Sequence, residues 1–159
     1  MAPFHTPHLR IACLNLIGLL LFAPPAFSAD YGTGVTAKIL KKTSVTGIGQ
    51  KITYPRTDSA EVTAMTVELA PGAETGWHKH PVPVYAYVIT GNLSVELADG
   101  KHLSFHAGDA VIEVVNTFHN GKNIGSEPVK LVVFYLGIEG TPNVVRPGPT
   151  EKIEEKLNR

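Results

Sequence analysis

His78 and His80 stand two residues apart in the stretch TGWHKHPVPV. In an extended strand, residues i and i+2 project from the same face, so both imidazoles can aim at one point. A third histidine, His119, follows in FHNGKN. Three convergent imidazoles predict a site for one divalent transition metal, and imidazole suits zinc, iron, nickel and copper alike. Trp77 and the apolar run after His80 argue that this region is buried. His102 and His106 share one side of KHLSFH, opposite Leu103 and Phe105. The apolar pair claims the core face, which leaves these two histidines exposed and outside the ligand set. Glu113 lies within the apolar stretch AVIEVV, where an unpaired buried carboxylate would be costly. It points either inward, as a general base or a partner to the site, or outward to solvent; the alternation leaves both open. Glu74, four residues before His78, is a weaker candidate ligand expected on a loop.

The elements that must position these side chains read as strands. EVTAMTVEL alternates, with Val62, Ala64 and Thr66 on one side and Met65, Val67 and Leu69 on the other. VYAYVIT, NLSVEL, KHLSFH, AVIEVV and VKLVVFYL follow, separated by Gly91-Asn92, Asp99-Gly100, Gly108-Asp109, Asn120-Gly121 and Gly125. Asp99-Gly100 between two alternating runs signals a hairpin. Short strands with this punctuation predict an all-β sandwich or small barrel over residues 60–138. Residues 30–59 alternate loosely and predict one or two peripheral strands, with Lys41 and Lys42 on a solvated edge. In 139–159, prolines give an extended lead, after which Thr150 can cap a short helix; a frayed tail is the other reading. Within VYAYVIT, the small row Val84, Ala86 and Val88 is expected to line the interior. Tyr85, Tyr87 and Ile89 then face a second sheet or a partner subunit.

The 159 residues suit one domain, and 43% hydrophobic with 18% charged residues fits a folded chain. Zero formal net charge gives no reason to expect nucleic acid or an anionic membrane as partner. Residues 1–29 have the layout of a secretory signal peptide: a basic start with Arg10, the apolar IACLNLIGLLLF, then small residues ending near Ala29. The lone cysteine, Cys13, falls inside this segment, so the processed chain has no thiol for disulfides. These features predict an exported, periplasmic protein without stable membrane contact after cleavage; a short N-terminal membrane anchor is the other reading.

The spacing of these residues resembles the cupin family. Its first motif runs glycine, five residues, His-x-His, three or four residues, glutamate, six residues, glycine; here Gly72, His78, His80, Val84 and Gly91 occupy those places. Its second motif, with glycine, proline, glycine, histidine and asparagine, falls on Gly108, Val114, Asn116, His119 and Asn123. The resemblance implies a double-stranded β-helix (jelly-roll) barrel with a short C-terminal tail or helix. It also implies a homodimer and iron or manganese as the catalytic metal. Val84 replaces the family's metal-binding glutamate, and Val114 and Asn116 replace proline and glycine. The expected ligand set is therefore His78, His80 and His119 alone, as in some cupin dioxygenases. Neutral imidazoles would leave two positive charges on the ion, favouring an anionic or chelating substrate. A pocket lined by Trp77, Val84, Ala86, Val88 and Phe118 would suit a small molecule with an apolar portion. An oxygenase is the leading expectation. A non-catalytic metal- or ligand-binding barrel and a metal-dependent isomerase or lyase are the alternatives.

Overall fold

The computed structural model describes residues 32–149, together with Met1 and Ile153. The expected leader at 1–29 and capped helix from Thr150 otherwise fall outside the described residues. The chain divides into two units, Met1–Ala37 and Lys38–Arg159. In the first, the described residues form a turn closed by Val35 N–H on the Gly32 carbonyl.

Seven strands run in order: β1 (Ala60–Leu69), β2 (Val84–Thr90), β3 (Asn92–Leu97), β4 (His102–His106), β5 (Ala110–Ile112), β6 (His119–Asn123) and β7 (Val129–Ile138). They form two antiparallel sheets, β1-β7-β2-β5 and β4-β3-β6, and among the described residues there is no helix. This is an all-β, jelly-roll arrangement.

Alternation decides which side chains fill the interior. Val84, Ala86 and Val88 of β2 are buried, as are Val129, Leu131, Val133 and Tyr135 of β7. The register pairs them directly, Val84 with Tyr135, Ala86 with Val133 and Val88 with Leu131. Leu69, Val82, Leu93 and Val111 complete this core. On the opposite side Tyr85 is half-buried, while Tyr87, Ile89 and the neighbouring Phe134 are 40–43% exposed, so no second sheet among the described residues covers these three. The Asp99-Gly100 turn forms as expected: Gly100 has a φ of 81°, and Leu97 N–H donates to the Lys101 carbonyl.

Three local expectations fail. Residues 32–59 contain no strand, only an isolated bridge between Val45 and Lys51. A side chain, not a ladder, ties this segment down: the Gln50 amide donates to the Val115 carbonyl and Thr117 Oγ1 and accepts from Val115 N–H. Asn120-Gly121 is not a turn but the middle of β6. Gly121 belongs there because Thr75 crosses closely, its Cγ2 3.3 Å from where a Cβ would stand. The AVIEVV strand ends at Ile112, and the chain turns through Asn116, whose φ of 53° is the only positive value at a non-glycine among the described residues. Asparagine tolerates this left-handed conformation, which explains its presence where the family motif has glycine.

Candidate metal centre

The stretch before β2 runs antiparallel to β6 and brings the histidines together. Thr75 N–H donates to the Gly121 carbonyl, and His78 and His119 exchange both backbone hydrogen bonds, at 3.0 and 2.8 Å. Directly opposed residues in an antiparallel pair share a face. The next pair outward, Lys79 and Phe118, therefore points the other way, and the Lys79 ammonium sits 4.5 Å from the centre of the Phe118 ring. Two residues on, the His80 carbonyl accepts from Asn116 N–H, so the left-handed turn after β5 holds the third ligand's backbone.

The three rings are buried, at 8% exposure for His78 and 2% for His80 and His119. Their centroids lie 4.4–5.0 Å apart, and their candidate ligand nitrogens all lie within 4.8 Å of one another. Each Nδ1 meets a backbone carbonyl: His78 that of Gly76 at 2.7 Å, His80 that of Asn143 at 2.8 Å and His119 that of Thr117 at 2.9 Å. A carbonyl can only accept, so the proton of each neutral ring is fixed on Nδ1 and the Nε2 lone pair turns inward. His119 Nε2 is buried and makes no hydrogen bond: with the ring proton on Nδ1, its lone pair confronts the Glu113 carboxylate at 3.2 Å, two acceptors with nothing shared between them. An orphaned buried acceptor is costly, and a divalent cation held by three imidazoles removes that cost. The residues present fit such an ion.

Glu113 points inward. Its Oε2 lies 3.3 Å from His80 Nε2 and 3.2 Å from His119 Nε2, with the side chain 19% exposed. Burial would raise this carboxyl, but hydrogen bonds and attraction from the His119 and His80 imidazoles, whenever these carry a second proton on Nε2, bring it down to about 2. Burial lowers His78 to about 4, which keeps it neutral and ready to ligate. Burial opposes protonation of His119 as well, yet the adjacent Glu113 carboxylate raises it overall. Glu74 is exposed, on a loop as expected, and engages Lys122 and Asn120 instead of the site. His102 and His106 are exposed, also as expected.

The apolar interior beside the site is a cavity of about 30 Å³, lined by Ala86, Val111, Val114 and Leu131 and reached by His119 and Glu113; it has room for about two waters. Of the five expected lining residues only Ala86 borders it. Val84 borders a separate groove against residues 46–53, and Val88 is packed in the core. Trp77 and Phe118 are half-buried and do not border the cavity. Each is the chain neighbour of a ligating histidine, and adjacent residues in extended chain face opposite ways. Two contributors had no signal in the sequence. Asn143 acts through its carbonyl, which every residue type possesses, and Tyr135 sets its ring 5.4 Å from that of His80.

The shift at His78 gives the apo protein a pH dependence with a definite sign. A histidine depressed from 6.5 to about 4 binds its proton more readily unfolded, so its contribution is present above 6.5 and lost as pH falls to about 4. Glu113 acts in the same direction lower down, losing its contribution between 4.5 and about 2. His119 has the opposite sign, but its contribution is complete below 6.5 and declines only above that. Urea midpoints of chelator-treated protein are therefore expected to rise from pH 4 to 6.5; a flat or falling profile would contradict the burial of His78.

Comparison with known proteins agrees with the geometry. The family described as Cupin domain matches residues 65–135. The chain is 32% identical over 90 residues to the beta-alanine degradation protein BauB of Pseudomonas aeruginosa, covering 55% of this chain and 95% of that protein. Among solved structures, it is similar to the DMSP lyase DddQ from Ruegeria pomeroyi, with TM-score 0.49 and 20% identity over 60% of this chain and 47% of that one. A cupin domain from Bordetella pertussis gives TM-score 0.44 and 23% identity, over 54% and 90% of the two chains. With the motif histidines converging on one point and nearly the whole of BauB aligned, the chain belongs to the cupin family.

Proposed function

We propose that this cupin is an exported, iron- or manganese-dependent oxygenase acting on a small organic substrate. The observation that carries the reading is the set of three inward Nε2 atoms, each held by a carbonyl on its Nδ1. That arrangement is built to hold a divalent ion rather than to bury three structural histidines. Iron(II) or manganese(II), when bound, supplies Lewis acidity and redox chemistry. His78, His80 and His119 hold it, and Ala86, Val111, Val114 and Leu131 keep bulk water from one side. The relative BauB, named for beta-alanine degradation, supports a small organic substrate. The leader at 1–29 supports export to the periplasm, and the exposed row Tyr87, Ile89 and Phe134 supports a homodimer.

The small cavity favours one second reading, a metal-binding barrel without catalysis. Nitric oxide, an oxygen surrogate, separates the two without knowledge of the substrate. The iron(II)-loaded protein is expected to give a high-spin iron–nitrosyl EPR signal, which demonstrates an open coordination position. Iron retained without any nitrosyl signal would overturn the oxygenase reading in favour of a closed site.

A further inference from the structure

We propose that Glu113 is a fourth protein ligand of the metal, a carboxylate carried one strand across from the position where the cupin motif has it. The inference rests on the metal-site reading above and goes beyond it. In the family's first motif the carboxylate belongs at residue 84, where this chain has valine. Val84 is 1% exposed and directed into the core. Strand β5 runs antiparallel beside β2 with Tyr85 opposite Ile112, so one step further Val84 stands opposite Glu113. Glu113 N–H donates to the Val84 carbonyl at 3.0 Å, which continues that pairing past the end of the strand. Opposed residues share a face with Cβ atoms about 5 Å apart. The longer glutamate side chain spans that offset and reaches the same point from the neighbouring strand.

Two distances from Glu113 match adjacent positions of a coordination polyhedron. Ligands bound at about 2.1 Å and separated by 90–109° stand about 3.0–3.4 Å from one another. Glu113 Oε2 is 3.2 Å from His119 Nε2 and 3.3 Å from His80 Nε2. A carboxylate that merely orients a ligating imidazole sits on its far nitrogen. All three far nitrogens here are taken by the carbonyls of Gly76, Asn143 and Thr117. Glu113 meets the near ones, on the side where the ion belongs. The site is then three nitrogens and one oxygen, which restores the negative charge that valine at 84 removes. In an octahedral ion two positions stay open.

The test measures metal affinity, not turnover. Mn(II) and Zn(II) binding is measured by chelator competition for the wild-type protein, Glu113→Gln, and the double variant Val84→Glu/Glu113→Val, which moves the carboxylate back to the motif position. Glu113→Gln is expected to weaken binding by about 100-fold or more, beyond the usual range for a residue outside the coordination sphere. The double variant is expected to recover most of that loss, and the Co(II) absorption spectrum should change in Glu113→Gln and return in the double variant. Should the double variant fail to fold, Glu113→Gln alone decides through its affinity and Co(II) spectrum. Wild-type-like affinity and spectrum in folded Glu113→Gln would overturn the assignment while leaving the three-histidine site standing. Failure of the wild-type protein to bind either ion would overturn both.

Discussion

His80→Ala is expected to reduce divalent-metal affinity by at least about 100-fold, whereas His102→Ala leaves it unchanged. A structural zinc site of four ligands contributes about 10–16 kcal/mol, so each ligand accounts for about 3 kcal/mol, or about two orders of magnitude in affinity. His80 should reach the upper part of that range because two contacts hold its ring before any ion arrives. Its Nδ1 is fixed by the Asn143 carbonyl and its edge packs on Tyr135, which leaves Nε2 aimed into the site. Alanine removes a preorganised donor, and no neighbouring nitrogen can move into its place because His78 and His119 are locked to each other through the backbone. His102 has the same chemistry on an exposed strand face and serves as the control. Chelator competition on both variants checks the expectation; an equal loss in the two would indicate general destabilisation.

Gly91→Ala is expected to destabilise the fold by about 3 kcal/mol, a large share of the 5–15 kcal/mol typical of a domain. Gly91 joins β2 to β3 with a φ of 84°, a conformation that costs alanine about 1–2 kcal/mol. Space compounds the strain. A Cβ there would stand 2.8 Å from the Val129 Cα and 2.9 Å from the Pro128 carbonyl oxygen, both backbone atoms that cannot rotate away. Relief requires shifting the start of β7, whose Val129 is fully buried, and overpacking of that kind costs about 1–3 kcal/mol. Gly100→Ala is the informative comparison: its φ is 81°, but a Cβ would meet nothing within 4 Å. Urea unfolding of the pair separates strain from collision, and equal losses would show that the contact with β7 contributes nothing.

The parts of this protein legible in its sequence are those that strand alternation fixes locally. The parity of β2 separated Val84, Ala86 and Val88 from Tyr87 and Ile89, and the His-x-His spacing placed two imidazoles on one side. His119 was legible through its spacing in the second motif. What remained hidden depends on pairing between distant segments. Glu113 could not be oriented from AVIEVV because regular strand stops at Ile112, and only the pairing with Val84 directs the carboxylate inward. Gly121 resembled a turn residue until the crossing of Thr75 gave glycine a reason inside a strand. Trp77 and Phe118 suit a pocket by residue type and by nearness to the site, yet the alternation that places the histidines inside directs their neighbours away. The carbonyls of Gly76, Thr117 and Asn143 leave no trace in residue type at all.

His78, His80 and His119 are expected to bind one divalent ion per chain through Nε2. Cu(II) is the most forgiving probe, since it stands at the top of the affinity order for nitrogen and oxygen sites. Pulsed EPR of the Cu(II)-loaded protein, together with metal quantification, reads stoichiometry and imidazole ligation at once. One ion per chain is expected, with modulation from the remote nitrogens of several imidazoles and stepwise loss of that modulation in His119→Ala and His80→Ala. Copper that is not retained, or imidazole modulation unaltered in those variants, would contradict it.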